Sequence, residues 1–191
     1  MNQQIDITGV VLSTSRLTLR PWRKSDLNDF YEYARVDGVG QMAGWSPHQS
    51  SEESRGILEC FIKGKHVFAL EHGGKVIGSL GIEEYNEACY PEFQRLRGRE
   101  IGYVLSKDYW GRGLMPEAVQ AAVAYLLTRL DWISLLWGTL HTTASPGVLL
   151  KSAVFNTLRQ ISLRHVLTLW KTPWNIFSGI RKGAGNEILC R

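Results

Sequence analysis

"DYWGRGLMPEAVQAAVAYLLTRL", residues 108–130, sets two glycines, an arginine and a proline around the start of an apolar, periodic run. A glycine-rich turn entering a helix presents backbone N–H groups that no helical carbonyl satisfies, at the positive end of the helix dipole. Such a turn suits phosphate. Gly111 and Gly113 would serve equally well to shape a tight turn, so their neighbours decide. Upstream, "REIGYVLSKDYW" (99–110) reads as a buried strand running straight into the turn. Downstream, 114–129 reads as a helix that turns Ala118, Ala121, Ala122, Tyr125 and Leu126 inward. A strand, a glycine turn and a helix in that order favour the phosphate reading.

Further out, "RLTLRPW" (16–22) alternates and stops at Pro21, as a strand leaving a turn would. "KSDLNDFYEYARV" (24–36) aligns Leu27, Phe30, Tyr31 and Ala34 on one helical face, with Ser25 or Asp26 as cap. "SSEESRGILECFIKG" (50–64) is a second helix, started by Ser50 or Ser51, with acids in its first turn. "HVFALE" (66–71) and "KVIGSLGIEEY" (75–85) are strands joined by the hairpin signal "HGGK". Residues 86–98 read as a polar loop. The order is then strand, two helices, three mainly antiparallel strands, glycine turn, helix.

At this point the chain resembles the GNAT N-acetyltransferases, and within them the RimJ/RimL-like branch. The resemblance rests on "RLTLRPWRKSDL", "IGSLGI" and "REIGYVLSKDYWGRGLMPEA" and covers residues 13–141. It implies an α+β fold with a mixed, mostly antiparallel central sheet flanked by helices. It also implies acetyl-CoA as cosubstrate, with the family's R/Q-x-x-G-x-G/A signature around the pyrophosphate. Gly111 and Gly113 match that signature's glycines, while Asp108 stands where the family usually has Gln or Arg. Backbone groups from Trp110 through Leu114 to Met115, with Arg112 adding charge, are expected to hold the pyrophosphate. The same resemblance sets Tyr103, Val104 and Leu105 beside the pantetheine arm through their backbone.

Acetyl transfer from a thioester to an amine requires the donor held, the carbonyl polarised and the amine deprotonated. Glu100, at the start of the 99–110 strand, is the expected general base. Glu83 and Glu84 compete for the role, and all three fit solvated strand ends as well. Tyr85 and Tyr103 are candidate acids for the departing thiolate, or simply packing. His66, His72 and His141 show no metal-ligand spacing, and no metal is expected. The acceptor is a protein N-terminus or a small amine, and the loops at 38–50 and 86–98 that would shape its pocket carry no diagnostic residues.

With 44% hydrophobic and 21% charged residues, the composition is that of a soluble globular domain. No apolar run reaches membrane-spanning length, and the first ten residues lack a signal-peptide pattern. Cys60, Cys89 and Cys190 are few and widely spaced, which fits a reducing cytoplasm. Neither a membrane nor nucleic acid is expected as a partner, and the chain is expected to be a monomer or homodimer.

The net charge of +4 is unevenly distributed. Residues 1–141 hold 15 Lys and Arg against 17 Asp and Glu, whereas residues 142–191 hold seven against the single Glu187. These ranges are expected to be an acetyltransferase domain and an atypical basic tail. The family continues with a helix carrying N-x-x-S-x-x-V-x-E-K-x-G-F, yet the chain reads "TTASPGVLLKSAVFNTL" after His141. Codons for residues 142–157, read from the third base of Thr142, are compatible with Asn-Ser-Lys-Ser-Arg-Arg-Val-Ile-Glu-Lys-Cys-Gly-Phe-Gln-Tyr. The expectation is a shifted frame after about residue 142, and the alternative to an active enzyme is a non-catalytic CoA-binding remnant.

Overall fold

The computed structural model describes residues 2–89, 98–129 and 134–137. Among the described residues, six strands lie in one sheet in sequence order: β1 (Leu12–Ser13), β2 (Thr18–Pro21), β3 (Val67–His72), β4 (Lys75–Glu83), β5 (Gly98–Leu105) and β6 (Ser134–Trp137). The first five pair antiparallel, and β6 runs parallel to β5. Helices α1 (Leu27–Ala34) and α2 (Ser51–Gly64) precede β3, and α3 (Leu114–Arg129) joins β5 to β6. This is the mixed, mostly antiparallel sheet flanked by helices that the resemblance implies. The tail 142–191, and with it the shifted-frame expectation, lies outside the described residues.

Strand alternation gives the sheet two buried faces. On one, Leu19, Phe68, Leu80, Ile82, Ile101 and Leu105 pack with Leu114, Ala118, Ala122 and Leu126 of α3. On the other, Trp22, Val67, Ala69, Val76 and partly Val104 pack with Phe30, Tyr33 and Leu58 of α1 and α2. The β3–β4 hairpin turns on Gly73 (φ 58°) and Gly74 (φ 83°). Both are left-handed, as a two-residue hairpin turn of this hand demands.

Several boundaries differ from the sequence expectation. The strand at 99–110 ends at Leu105, because Ser106 N–H takes the Ile77 carbonyl (2.8 Å) and a 3-10 turn, Lys107–Tyr109, follows. On α3, Leu114, Val119 and Val123 are buried while Ala121 and Tyr125 are only half-buried, so the inward face is rotated by about one residue. On α1, Tyr33 rather than Tyr31 faces the core. That helix begins at Leu27, and neither Ser25 nor Asp26 caps it by side chain. The Asp26 carboxylate is instead committed to Arg20 (2.8 and 2.9 Å) and to Arg23 N–H (2.7 Å). Cys60, on α2, is disulfide-bonded, so the cysteines carry no argument for a reducing compartment.

Candidate active site

The glycine turn stands where β5 hands over to α3. Gly111 (φ 73°) and Gly113 (φ 72°) are both left-handed, a conformation that side chains resist. Both are exposed, and a Cβ at Gly111 would meet nothing within 4 Å. The turn is therefore glycine-dependent for its backbone, not for lack of room. The first bond of α3 runs from Glu117 N–H to the Gly113 carbonyl (3.4 Å). The amides that precede it consequently have no helical partner, which is the arrangement an anion requires.

Side chains on and around the turn fix its shape. Trp110, 42% exposed, donates its indole N–H to the Leu105 carbonyl (2.7 Å), tying the turn to the end of β5. The Arg112 guanidinium lies over the Tyr109 ring, 5.1 Å from its centroid. Arg112 is also held through its backbone, since its carbonyl accepts from Arg16 Nη1 (2.8 Å). Arg16 in turn pairs with Glu117 (2.6 Å) on the first turn of α3. Sequence reasoning missed this clamp, although both residues stand in stretches that carry the resemblance.

Tyr103, Val104 and Leu105 lie on β5 as expected. Tyr103 and Leu105 lean on the α3-side core and Val104 on the other. Pairing of β5 with β6 covers Gly98–Ile101, whereas Gly102–Leu105 pair only with β4 among the described residues. Burial pushes the Tyr103 hydroxyl's pKa upward, as it does that of Tyr85, so both keep their protons at neutral pH. Leu114 is buried and Met115 half-buried, so these two reach the turn through backbone rather than side chain.

Glu100, half-buried, stands in register opposite Glu83, and next to them Gly102 faces Gly81. This puts two carboxylates at one end of a strip of bare backbone. Glu84 differs, being 71% exposed and paired with Arg99 (3.2 Å), which also donates to the Gln3 carbonyl. His66 Nε2 lies 3.1 Å from Glu83 Oε2. Its pKa is raised, chiefly by the hydrogen bond to Glu83 and against the effect of burial. His72 binds the Arg16 carbonyl (2.9 Å) and packs edge-on to Tyr109, so it supports the turn from below. His141 lies outside the described residues. Among those residues, no group of three or more His, Cys, Asp or Glu is placed to hold a metal, and no helix is long and apolar enough to cross a membrane.

Comparison with known proteins adds four findings. The family model described as "Acetyltransferase (GNAT) domain" matches residues 16–151. The uncharacterised N-acetyltransferase p20 of Bacillus licheniformis is 27% identical over 128 residues, spanning 63% of this chain and 67% of that one. Among solved structures, a putative ribosomal-protein-serine acetyltransferase from Vibrio cholerae superposes with a TM-score of 0.58 at 19% identity, over 74% of this chain and 80% of that one. Mycobacterium smegmatis RimJ in complex with CoA-disulfide does so with a TM-score of 0.52 at 17% identity, over 71% and 68%.

Proposed function

The chain belongs to the acetyltransferase (GNAT) family, and on that footing we propose that it moves an acetyl group from acetyl-CoA to a primary amine. The carrying observation is the left-handed Gly111–Gly113 turn, whose amides open at the N-terminus of α3 directly beyond β5. Phosphate oxygens accept from such amides without any side chain. The RimJ relative, captured with a CoA derivative, supports the choice of donor. The acceptor we favour is a protein N-terminal amine, on the resemblance to the RimJ/RimL branch and to a ribosomal-protein acetyltransferase; a small amine is the alternative.

In this reading Glu100 is the base. The acceptor ammonium gives one proton to the Glu100 carboxylate, directly or through water, and its freed lone pair attacks the thioester carbonyl carbon. The C–N bond forms, the C–S bond breaks, and the departing sulfur takes the second proton of the amine.

The break in charge at residue 141 favours a second reading, a CoA-binding remnant with no transfer activity. Acetyl-CoA titrated by calorimetry, followed by intact-mass analysis with peptides bearing a free N-terminal Ser or Ala, separates the two. Binding with transfer is expected of the enzyme, and binding without transfer of the remnant. No binding removes both readings.

A further inference from the structure

Lys107 lies in the 3-10 turn between β5 and the glycine turn, yet its ammonium reaches the loop between α1 and α2. Nζ donates to the Asp37 carbonyl (2.6 Å). The end of the stem lies against Gly38, where a Cβ would come within 2.9 Å of Nζ and 3.3 Å of Cε. Gly38 is left-handed (φ 85°), so a side chain there would meet both backbone strain and the lysine. Nζ also stands 6.0 Å from the centroid of the Trp110 ring, within reach of a cation–π attraction. Trp110 is itself fixed by its bond to the Leu105 carbonyl (2.7 Å). One exposed side chain thus bridges the approach to α3 and a segment 70 residues earlier.

The loop that Lys107 reaches is tied together internally. Gly38 N–H donates to Gln41 Oε1 (2.8 Å), and Gln41 Nε2 donates to Asp37 Oδ1 (2.6 Å). The short 3-10 turn Gly40–Ala43 follows and packs against β5. Trp45 N–H donates to the Gly40 carbonyl (3.0 Å), and the Trp45 ring covers Gly40, where a Cβ would fall on it. Val39 and Trp45 share an apolar cluster with Val104 of β5. The far end of the loop has an anchor of its own. His48 N–H donates to the Ala34 carbonyl (3.1 Å), and His48 Nδ1 lies 2.7 Å from Ser54 Oγ. Lys107 therefore bears on residues 37–45 and not on His48.

We propose that Lys107 is a positioning residue that couples the acceptor side of the site to the donor side, by holding residues 37–45 to the glycine turn. The idea rests on the proposed function, in which the turn takes the phosphates of acetyl-CoA, and on the expectation that the loop at 38–50 shapes the acceptor's pocket. Lys107 takes no part in the transfer itself. A donor that stills the turn also stills the lysine, and the loop held by that lysine then has less freedom to lose. Coupling of this kind needs no change of shape, and it is reciprocal between the two sites. Simple packing by Lys107 would stabilise the loop without carrying any effect of the donor to it.

The test is amide hydrogen exchange in the full chain, with and without saturating acetyl-CoA. Without ligand, Lys107→Met should speed exchange at Gly38 and Trp45 by about two- to tenfold, the worth of one net hydrogen bond, and leave His48 unchanged. Lys107→Arg, which keeps a donor and the charge, should restore most of the protection. Acetyl-CoA should slow exchange at Gly38 and Trp45 in the parent and in Lys107→Arg, but not in Lys107→Met. Exchange that is unchanged in ligand-free Lys107→Met overturns the proposal, as does acetyl-CoA protection that reaches the loop equally without the lysine. Faster exchange that spreads to His48 and the strands also overturns it, since that marks a general loss of stability. A salt-dependent loss of acetyl-CoA affinity in Lys107→Met, with the loop undisturbed, would make Lys107 a phosphate ligand instead. No binding of acetyl-CoA overturns the proposed function and the coupling with it, whereas binding without transmitted protection overturns the coupling alone.

Discussion

Glu117 carries more of the glycine turn's geometry than its position in the motif suggests. Oε1 accepts from Ser15 Oγ (3.0 Å) and Arg16 N–H (2.9 Å), and Oε2 accepts from Arg16 Nε (2.7 Å). Partial burial works against ionisation, but bonds from Thr14, Arg16 and Ser15 outweigh it and hold the carboxyl at about 2. Because the folded pKa is depressed, this stabilisation is complete above the ordinary value of 4.5 and drains away as pH falls toward about 2. Glu117→Gln should therefore lower the melting temperature at neutral pH, and the gap to the parent should narrow as pH falls through that window. A gap independent of pH would show that charge is not what the clamp uses. His66 has the opposite sign. Its raised pKa gives stability that is complete below the ordinary value of 6.5 and lost as pH climbs through the folded value. In His66→Gln, melting temperatures should accordingly approach the parent's as pH rises above neutral.

Among the elements, α2 has the clearest local cause. Ser50 is extended at the N-cap and its hydroxyl accepts from Glu53 N–H (3.2 Å), while the Glu53 carboxylate returns to Gln49 N–H (2.7 Å). Losing such a cap costs about 1 kcal/mol, so Ser50→Ala should lower the unfolding free energy by that amount in urea titration. At the other end of the chain's logic, the turn into α3 depends on glycine for its backbone. Gly113→Asp adds a left-handed strain at φ 72° and a negative charge at the turn. Calorimetry should find acetyl-CoA binding lost in this variant, and unchanged affinity would remove the phosphate-cradle reading. The folded state should survive, because the nearest atom to a Cβ there is Arg16 Nη2 at 3.7 Å.

Across the whole molecule, Arg20 joins elements that lie far apart in sequence. Only 5% exposed, it pairs with Asp26 just before α1 (2.8 Å) and with Glu71 on β3 (2.7 Å). Removing one member of a buried pair strands its partner, at about 3–5 kcal/mol. Arg20→Ala should thus be among the most destabilising single changes in the chain, measured by chemical denaturation. The charge break at residue 141 acts at the same scale. If the frame is shifted there, a chain carrying the alternative frame from Thr142 onward should bury more apolar surface, at roughly 25 cal/mol per Å². Its melting temperature should exceed that of the present chain. An equal or lower value would count against the shift, as would a gene whose second frame lacks the Asn-to-Phe motif.

The sequence by itself determined the family fold, the order of the elements and the glycine turn between β5 and α3. Each of these is written locally, in glycine spacing, in hairpin chemistry at Gly73–Gly74 and in the periodicity of 114–129. Boundaries were less legible, because the end of β5 depends on a single ladder bond from Ser106 to Ile77, and that bond needs β4 in place. The partners of the acids were not legible at all. Glu83, Glu84 and Glu100 look alike in the chain, and only strand alternation and register set Glu83 against Glu100 while sending Glu84 to Arg99. Asp26 reads as a helix cap but is taken by Arg20, whose charge is buried and must be met. The same holds for Glu117 and Arg16, 101 residues apart and joined by the fold alone. A charge can be read from one residue, but its partner is a fact of three-dimensional proximity.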